Sequence, residues 1–222
     1  HDFRTELGFM NRFFRPDISG IHNRVQLNFF PESLDINSWS ATLFDVYLKD
    51  LDGTMVYHQL GPSLGVSFDT NFFSANYTEY NEVLRPQDFP GITSNRRYDY
   101  DDWQLSYGNS TLNSLEFDIS YRSGTTLNLV PAMGNLPSVA DTSRINFNLL
   151  WRPIDRLQIS NTYLNTELKT RSGGNKIFSN EIIRSNWNYQ FNREWSLRFI
   201  AQYEETDAGA ASRLEDDENL NF

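Results

Sequence analysis

The sequence predicts an all-β fold: an antiparallel, up-and-down transmembrane β-barrel with about twelve strands visible, as part of a larger barrel. Three observations predict it. Apolar and polar residues alternate with period two in segment after segment, which gives each strand two chemically different sides. Aromatic residues make up 15% of the 222-residue chain while mean hydropathy is only -0.56. That combination suits a half-apolar sheet and argues against a disordered chain. Tight turns and longer connections also alternate over most of the chain, as they do at the two rims of outer-membrane barrels. A Greek-key sandwich has no reason to alternate so regularly.

Taken in order, the first candidate strand covers Phe3 to Phe9, with Phe3, Leu7 and Phe9 on one side. After a basic turn, Ile21, Val25, Leu27 and Phe29 alternate with His22, Arg24, Gln26 and Asn28 until Pro31 ends the ladder. Ser38 to Lys49 carries Phe44, Val46 and Leu48 on one face, and Asp50-Leu51-Asp52-Gly53 reads as a turn. Thr54 to Phe68 is a long strand with a kink or bulge expected at Gly61-Pro62, followed by a tight turn at Asp69-Thr70-Asn71. The next strand holds Phe73, Ala75 and Tyr77. Glu82 to Arg97 then reads as a loop broken by Pro86, Pro90 and Gly91. Tyr98 to Gly108 carries Trp103, Leu105 and Tyr107 and turns at Asn109-Ser110; Leu115, Phe117, Ile119 and Tyr121 mark its partner. Gly124 to Asp141 is a second long loop.

The clearest alternation lies between Arg144 and Tyr203. Two hairpins, Arg144–Trp151 with Leu157–Tyr163 and Ile183–Phe191 with Trp195–Tyr203, turn tightly near Pro153 and Asn192. The loop Lys169 to Phe178 separates them. This arrangement puts Trp151 and Trp195 at the periplasmic rim. Glu204 to Glu218 is polar and acidic, and Asn219-Leu220-Asn221-Phe222 begins another strand. The whole of 1–222 is one domain.

Composition narrows the function classes. The chain contains no run of eighteen apolar residues, so no transmembrane helix is predicted, which leaves β-strand insertion open. Without cysteine there is no disulfide scaffold, thiolate metal site or thiol nucleophile. The net charge of -10 and the lack of a basic stripe exclude nucleic acid as a natural partner. The chain opens His1-Asp2-Phe3-Arg4, with neither an initiator Met nor a signal peptide, and is expected to be a segment of something longer.

Candidate residues fall into three sets. Arg24, Glu116, Asp118, Arg144, Arg184 and Arg198 sit deep within strands on the polar face, where they would line a lumen and tune selectivity, or pair with one another and fill it. Tyr107, Tyr121, Trp151, Phe191, Trp195 and Tyr203 lie near strand ends, as the aromatic girdle of a bilayer interface does. Asp99, Asp101 and Asp102 are the best carboxylate group for a hard cation, but they lack EF-hand spacing. Glu215-Asp216-Asp217-Glu218 has the charge to bridge divalent ions to lipopolysaccharide, although such runs usually solvate loops. His1, His22 and His58 fit no metal motif, and no Gly-x-Ser-x-Gly elbow occurs. No catalytic residue and no cofactor are predicted.

Several short motifs resemble a family. Gly8-Phe9-Met10-Asn11-Arg12 is similar to the start of the barrel domain in a large family of bacterial outer-membrane proteins, in which the barrel follows a family-9-like carbohydrate-binding module. Trp103-Gln104-Leu105-Ser106-Tyr107 resembles a mid-domain strand of that family. Tyr121-Arg122-Ser123-Gly124, Leu150-Trp151-Arg152-Pro153 and Phe199-Ile200-Ala201-Gln202-Tyr203 resemble its later hairpins, in the same order. The resemblance implies a barrel in the outer membrane of a Bacteroidota-type bacterium. It also implies a module before His1 and closing strands after Phe222; it supplies no catalytic residues.

The expected function is a membrane anchor or passive pore linked to glycan binding or uptake. The expected partners are outer-membrane lipid, lipopolysaccharide, glycans and other outer-membrane subunits. The alternatives are a soluble carbohydrate-binding β-sandwich or barrel, and a glycan-processing enzyme using a carboxylate pair.

Overall fold

The computed structural model describes residues 18–32, 35–112 and 114–222. The candidate strand Phe3–Phe9 and the motif at Gly8 to Arg12 lie outside them. The described residues form no helix. They form eleven strands: β1 Ile18–Phe29, β2 Ser38–Asp50, β3 Met55–Phe68, β4 Asn71–Leu84, β5 Arg96–Leu112, β6 Leu115–Asn128, β7 Ser138–Ile154, β8 Leu157–Thr170, β9 Lys176–Gln190, β10 Ser196–Ala208 and β11 Asp217–Asn221. Each pairs antiparallel with the next, in one up-and-down sheet ordered β1 to β11. The sheet is not closed: among the described residues, β1 pairs only with β2 and β11 only with β10.

Every predicted strand within the described residues corresponds to one of these, but many were drawn too short. The loop expected at Glu82 to Arg97 shrinks to 85–95, and the one at Gly124 to Asp141 shrinks to 129–137. The turn placed at Asn109-Ser110 is strand; β5 runs on to Leu112, with an irregular register after Asn109. Pro153 likewise lies within β7, where the pairing with β8 slips between Trp151 and Ile154 and frees the proline from the ladder. At Gly61-Pro62 the ladder between β3 and β4 lapses, passing from Leu60↔Glu79 to Ser63↔Asn76.

The turn chemistry is local. Gly53, at φ 83°, closes the β2–β3 turn by donating its N–H to Asp50 O. Asp69 takes the left-handed φ of 51° that the 69–70 turn requires. In the 191–195 turn, Asn192 Oδ1 accepts the N–H groups of Glu194 and Trp195 at 2.9 and 2.8 Å.

An up-and-down sheet puts the connections after β1, β3, β5, β7 and β9 at one end and the rest at the other. Short turns mark the first end at 69–70 and 155–156, and long loops mark the second at 85–95, 129–137 and 209–216. The contrast fades toward the C-terminal strands, where 171–175 and 191–195 are equally long.

The packed core sits almost entirely at the long-loop end. Leu48, Val56 and Tyr57 form one cluster. Leu84, Ile92, Tyr100 and Leu127 form a second, and Val130, Ala140, Leu168, Ile177 and Phe178 a third. The loops join these clusters. Loops 129–137 and 209–216 are bridged at Pro131 and Ser212, with Ala132 N–H donating to Ala211 O and Arg213 N–H to Val130 O. The Arg213 guanidinium lies 5.9 Å from the centre of the Phe89 ring, tying in loop 85–95. Buried Arg85 anchors that loop through Asp88 at 3.0 Å and Asp50, on β2, at 3.4 Å.

Close approach separates the roles of Gly61 and Gly108. A Cβ on Gly61 would lie 2.4 Å from the Tyr77 carbonyl oxygen, and one on Gly108 would lie 2.0 Å from the Phe72 ring. A ring can rotate away, whereas a ladder carbonyl cannot. Gly61→Ala is therefore expected to destabilise the fold by about 1–3 kcal/mol and Gly108→Ala by clearly less. Denaturant unfolding of both variants checks this order.

Candidate functional site

The register sorts the two faces without ambiguity. On one, residues paired in turn across all eleven strands form an unbroken row: Phe29, Trp39, Val66, Phe73, Tyr107, Ile119, Phe147, Tyr163, Ile183, Tyr203 and Leu220. Every member is apolar or aromatic. Phe29 ends β1 at the short-turn end, whereas Tyr203 lies midway along β10. The row thus climbs steadily from strand to strand, the stagger that a tilted, coiled sheet has and that barrel closure uses. Around it, Val25, Leu43, Leu64, Leu105, Trp187 and Leu197 are all more than a third exposed. Phe29 stacks on Trp39 at 3.9 Å, and Trp103 meets Tyr121 edge to face at 5.3 Å.

This apolar band ends along a sharp line. On β4 the outward series changes from Tyr77 to Glu79, and on β5 from Trp103 to Asp101. On β9 it changes from Ile183 to Glu181, and on β10 from Tyr203 to Glu205. Tyrosines on the line reach over it. Tyr77 donates to Glu79 at 3.3 Å and to Asp101 at 3.5 Å, Tyr163 to Glu181 at 3.0 Å and Tyr203 to Glu205 at 2.9 Å. Beyond the line the chemistry of the two faces reverses: the outside turns acidic, while Tyr80, Tyr100, Ala140, Leu168 and Phe178 make the inside apolar under the loops.

The six aromatic candidates divide between the limits of the band. Tyr107, Trp151, Phe191 and Trp195 lie toward the short-turn end, and Tyr121 and Tyr203 lie at the opposite line. Trp195 and Phe191 flank a turn and are exposed by 69% and 51%, as residues projecting beyond the sheet should be.

All six charged candidates, Arg24, Glu116, Asp118, Arg144, Arg184 and Arg198, share the other face. Among the described residues none pairs with another of the six. Amides and hydroxyls satisfy most of them: Arg24 Nη2 donates to Gln26 at 2.7 Å, Asn148 to Asp118 at 2.9 Å, Arg144 Nε to Thr166 at 3.2 Å and Arg198 Nε to Asn186 at 3.3 Å. Glu116 instead accepts from Arg152 Nη1 at 2.5 Å. Arg122 and Arg152, which sequence reasoning did not single out, belong to the same face. Counting in twos from Glu116 and from Leu150 would have found them.

The three aspartates do not converge. Asp99 and Asp101 point outward and the buried Asp102 inward, because consecutive strand residues alternate sides. No cluster of three or more His, Asp or Glu able to hold a metal ion occurs among the described residues. Asp216, from the acidic C-terminal run, caps the end of β10 by accepting the Ala208 N–H at 2.7 Å.

No protein-family model matches this chain, and neither does any curated protein sequence. The Arg152–Glu116 pair is about two-fifths exposed on both sides, so solvent screening leaves it little weight. Glu116→Gln is expected to change stability by less than about 1 kcal/mol, measured by denaturant unfolding.

Proposed function

We propose that this chain forms wall of a β-barrel in a bacterial outer membrane and serves as a membrane anchor or narrow passive pore. The observation that carries the reading is the reversal along β4, β5, β9 and β10. An exposed apolar face ends at a line of tyrosines and gives way to carboxylates, and the inner face changes from polar to apolar at the same height. Lipid outside and water inside account for the lower part; water outside and packed loops inside account for the upper part. A soluble sheet would have no reason to leave its aromatic face uncovered over eleven strands.

In this arrangement the apolar band faces lipid acyl chains, the acidic outer collar stands at the level of lipopolysaccharide head groups, and the arginine-bearing face lines the lumen. The three interlocked loops narrow that lumen at the long-loop end. Unpaired strand edges are too costly in hydrocarbon, so the reading requires strands pairing with β1 and β11 beyond those described. The family resemblance extends the proposal to a barrel working beside a glycan-capturing module.

Neighbouring residues on opposite faces give the test. Arg at position 119 would meet lipid, at a cost of about 2–4 kcal/mol near the bilayer midplane. Arg at position 120 would meet the small inner side chains of Ser106 and Asn146, its register partners. Ile119→Arg is expected to abolish assembly into the outer-membrane fraction, and Ser120→Arg to leave it intact. Equal assembly of the two, or purification of the parent protein as a soluble monomer without detergent, would overturn the proposal.

A further inference from the structure

We propose that the inner face carries a binding site for a small carboxylate attached to a compact apolar ring, an anion of the size of benzoate, held by Arg122 and Arg144 beneath the loops. The inference goes beyond the membrane reading and does not depend on it. A cavity of about 140 Å³ lies where the inner face changes from polar to apolar. Its floor is built by register: Arg122, Arg144 and Thr166 line it and pair in turn across β6 to β8, and Gln104 on β5 flanks Arg122. Two guanidinium groups thus stand side by side on adjacent strands.

Their compensation is incomplete. Arg122 spends its Nε and Nη2 on Gln104 Oε1, at 3.2 and 2.7 Å, and its nearest carboxylate oxygen, on Asp102, is 3.9 Å away. Arg144 donates Nε to Thr166 Oγ1, and its terminal nitrogens have no protein acceptor among the described residues. One carboxylate therefore answers two fixed positive charges, and donors remain for an incoming anion. In the next row up, Gly124 stands between Asp102 and Thr142 and puts no side chain over the arginine pair.

The roof selects the rest of the ligand. Leu129, Val130 and Phe178, from loop 129–137 and β9, line the same cavity as the arginines. A hydrated inorganic ion would leave these groups facing water. A neutral apolar ring would leave the guanidinium donors unmatched. A ring bearing one carboxylate satisfies both, through charge-assisted hydrogen bonds at one end and apolar contact at the other.

The experiment is a calorimetric titration of the folded full chain, in detergent if it requires detergent, with benzoate, with the neutral isostere benzamide, and with acetate. Saturable benzoate binding is expected, weakened roughly tenfold or more for benzamide and for acetate. Arg144→Gln is expected to remove the preference for benzoate, Arg144→Lys to restore part of it, and Arg97→Gln, an exposed arginine on the opposite face of β5 from the cavity, to leave it unchanged. If Arg144→Gln fails to fold, the comparison of the three probes on the parent chain decides. Absence of saturable benzoate binding, equal affinity for benzoate and benzamide, or full retention of the preference in a folded Arg144→Gln protein would each overturn the site. Failure of the outer-membrane reading would show instead as solubility without detergent, which these titrations do not measure.

Discussion

Everything in this structure depends on the cross-strand register that keeps one face apolar across all eleven strands. A slip of one residue in any pair would turn Trp103 and Leu105, or Ile145 and Phe147, to the polar side and carry arginines to the other. The row from Phe29 to Leu220 therefore fixes the pairing more firmly than any single turn. Turns adapt to it: β5 and β7 both absorb a local irregularity near their short-turn ends without disturbing the row above. The glycines serve the same constraint. On the polar face Gly61 and Gly108 stand opposite Phe44 and Phe72, and the larger partner fills the space.

The reversal of the two faces explains how far the sequence could be read. The alternation between Arg144 and Tyr203 is legible because outer apolar and inner polar residues keep their roles there. The alternation read from the sequence has its last apolar markers at Tyr77 on β4 and Tyr121 on β6, ends β8 at Tyr163 and β10 at Tyr203, and begins β9 at Ile183. Those positions lie on the line where the faces exchange chemistry. The period of two continues beyond it, but the apolar residues move to the inside: Tyr100 and Leu168 take the place that Trp103 and Tyr163 hold below. A reading that follows a single apolar face loses the strand at that height and takes the remainder for loop. The placement of the arginines on one face was legible from alternation alone. Their partners were not, since Gln104 and Thr166 reach them across strands far apart in sequence.

The division also locates the fold's stability. The buried clusters lie at the long-loop end, where the loops supply the second layer that a sheet needs to bury a face. Ile177 and Val56 are completely enclosed there, whereas among the described residues the strands of the short-turn half have Ile159 as their isolated buried apolar side chain. In water the short-turn half would rest on backbone pairing and cross-strand contacts, with its aromatic face uncovered. A hydrocarbon environment removes that cost without needing a protein core. Under the membrane proposal the two halves are stabilised by different partners, protein loops above and lipid below.

Charge follows the same partition and runs against the composition. The chain carries a net charge of -10, yet the carboxylates of Glu79, Asp101, Glu181 and Glu205 stand on the outer collar, while Arg24, Arg122, Arg144, Arg184 and Arg198 gather on the inner face. Low-dielectric walls focus the field of the charges they enclose. The arginines share that face with the carboxylates of Asp102, Glu116 and Asp118, so positive charge is local to particular rows, above all where Arg122 stands beside Arg144. Net charge predicts how the whole chain meets solvent and other macromolecules; it does not predict the local sign at the row that holds Arg122 and Arg144.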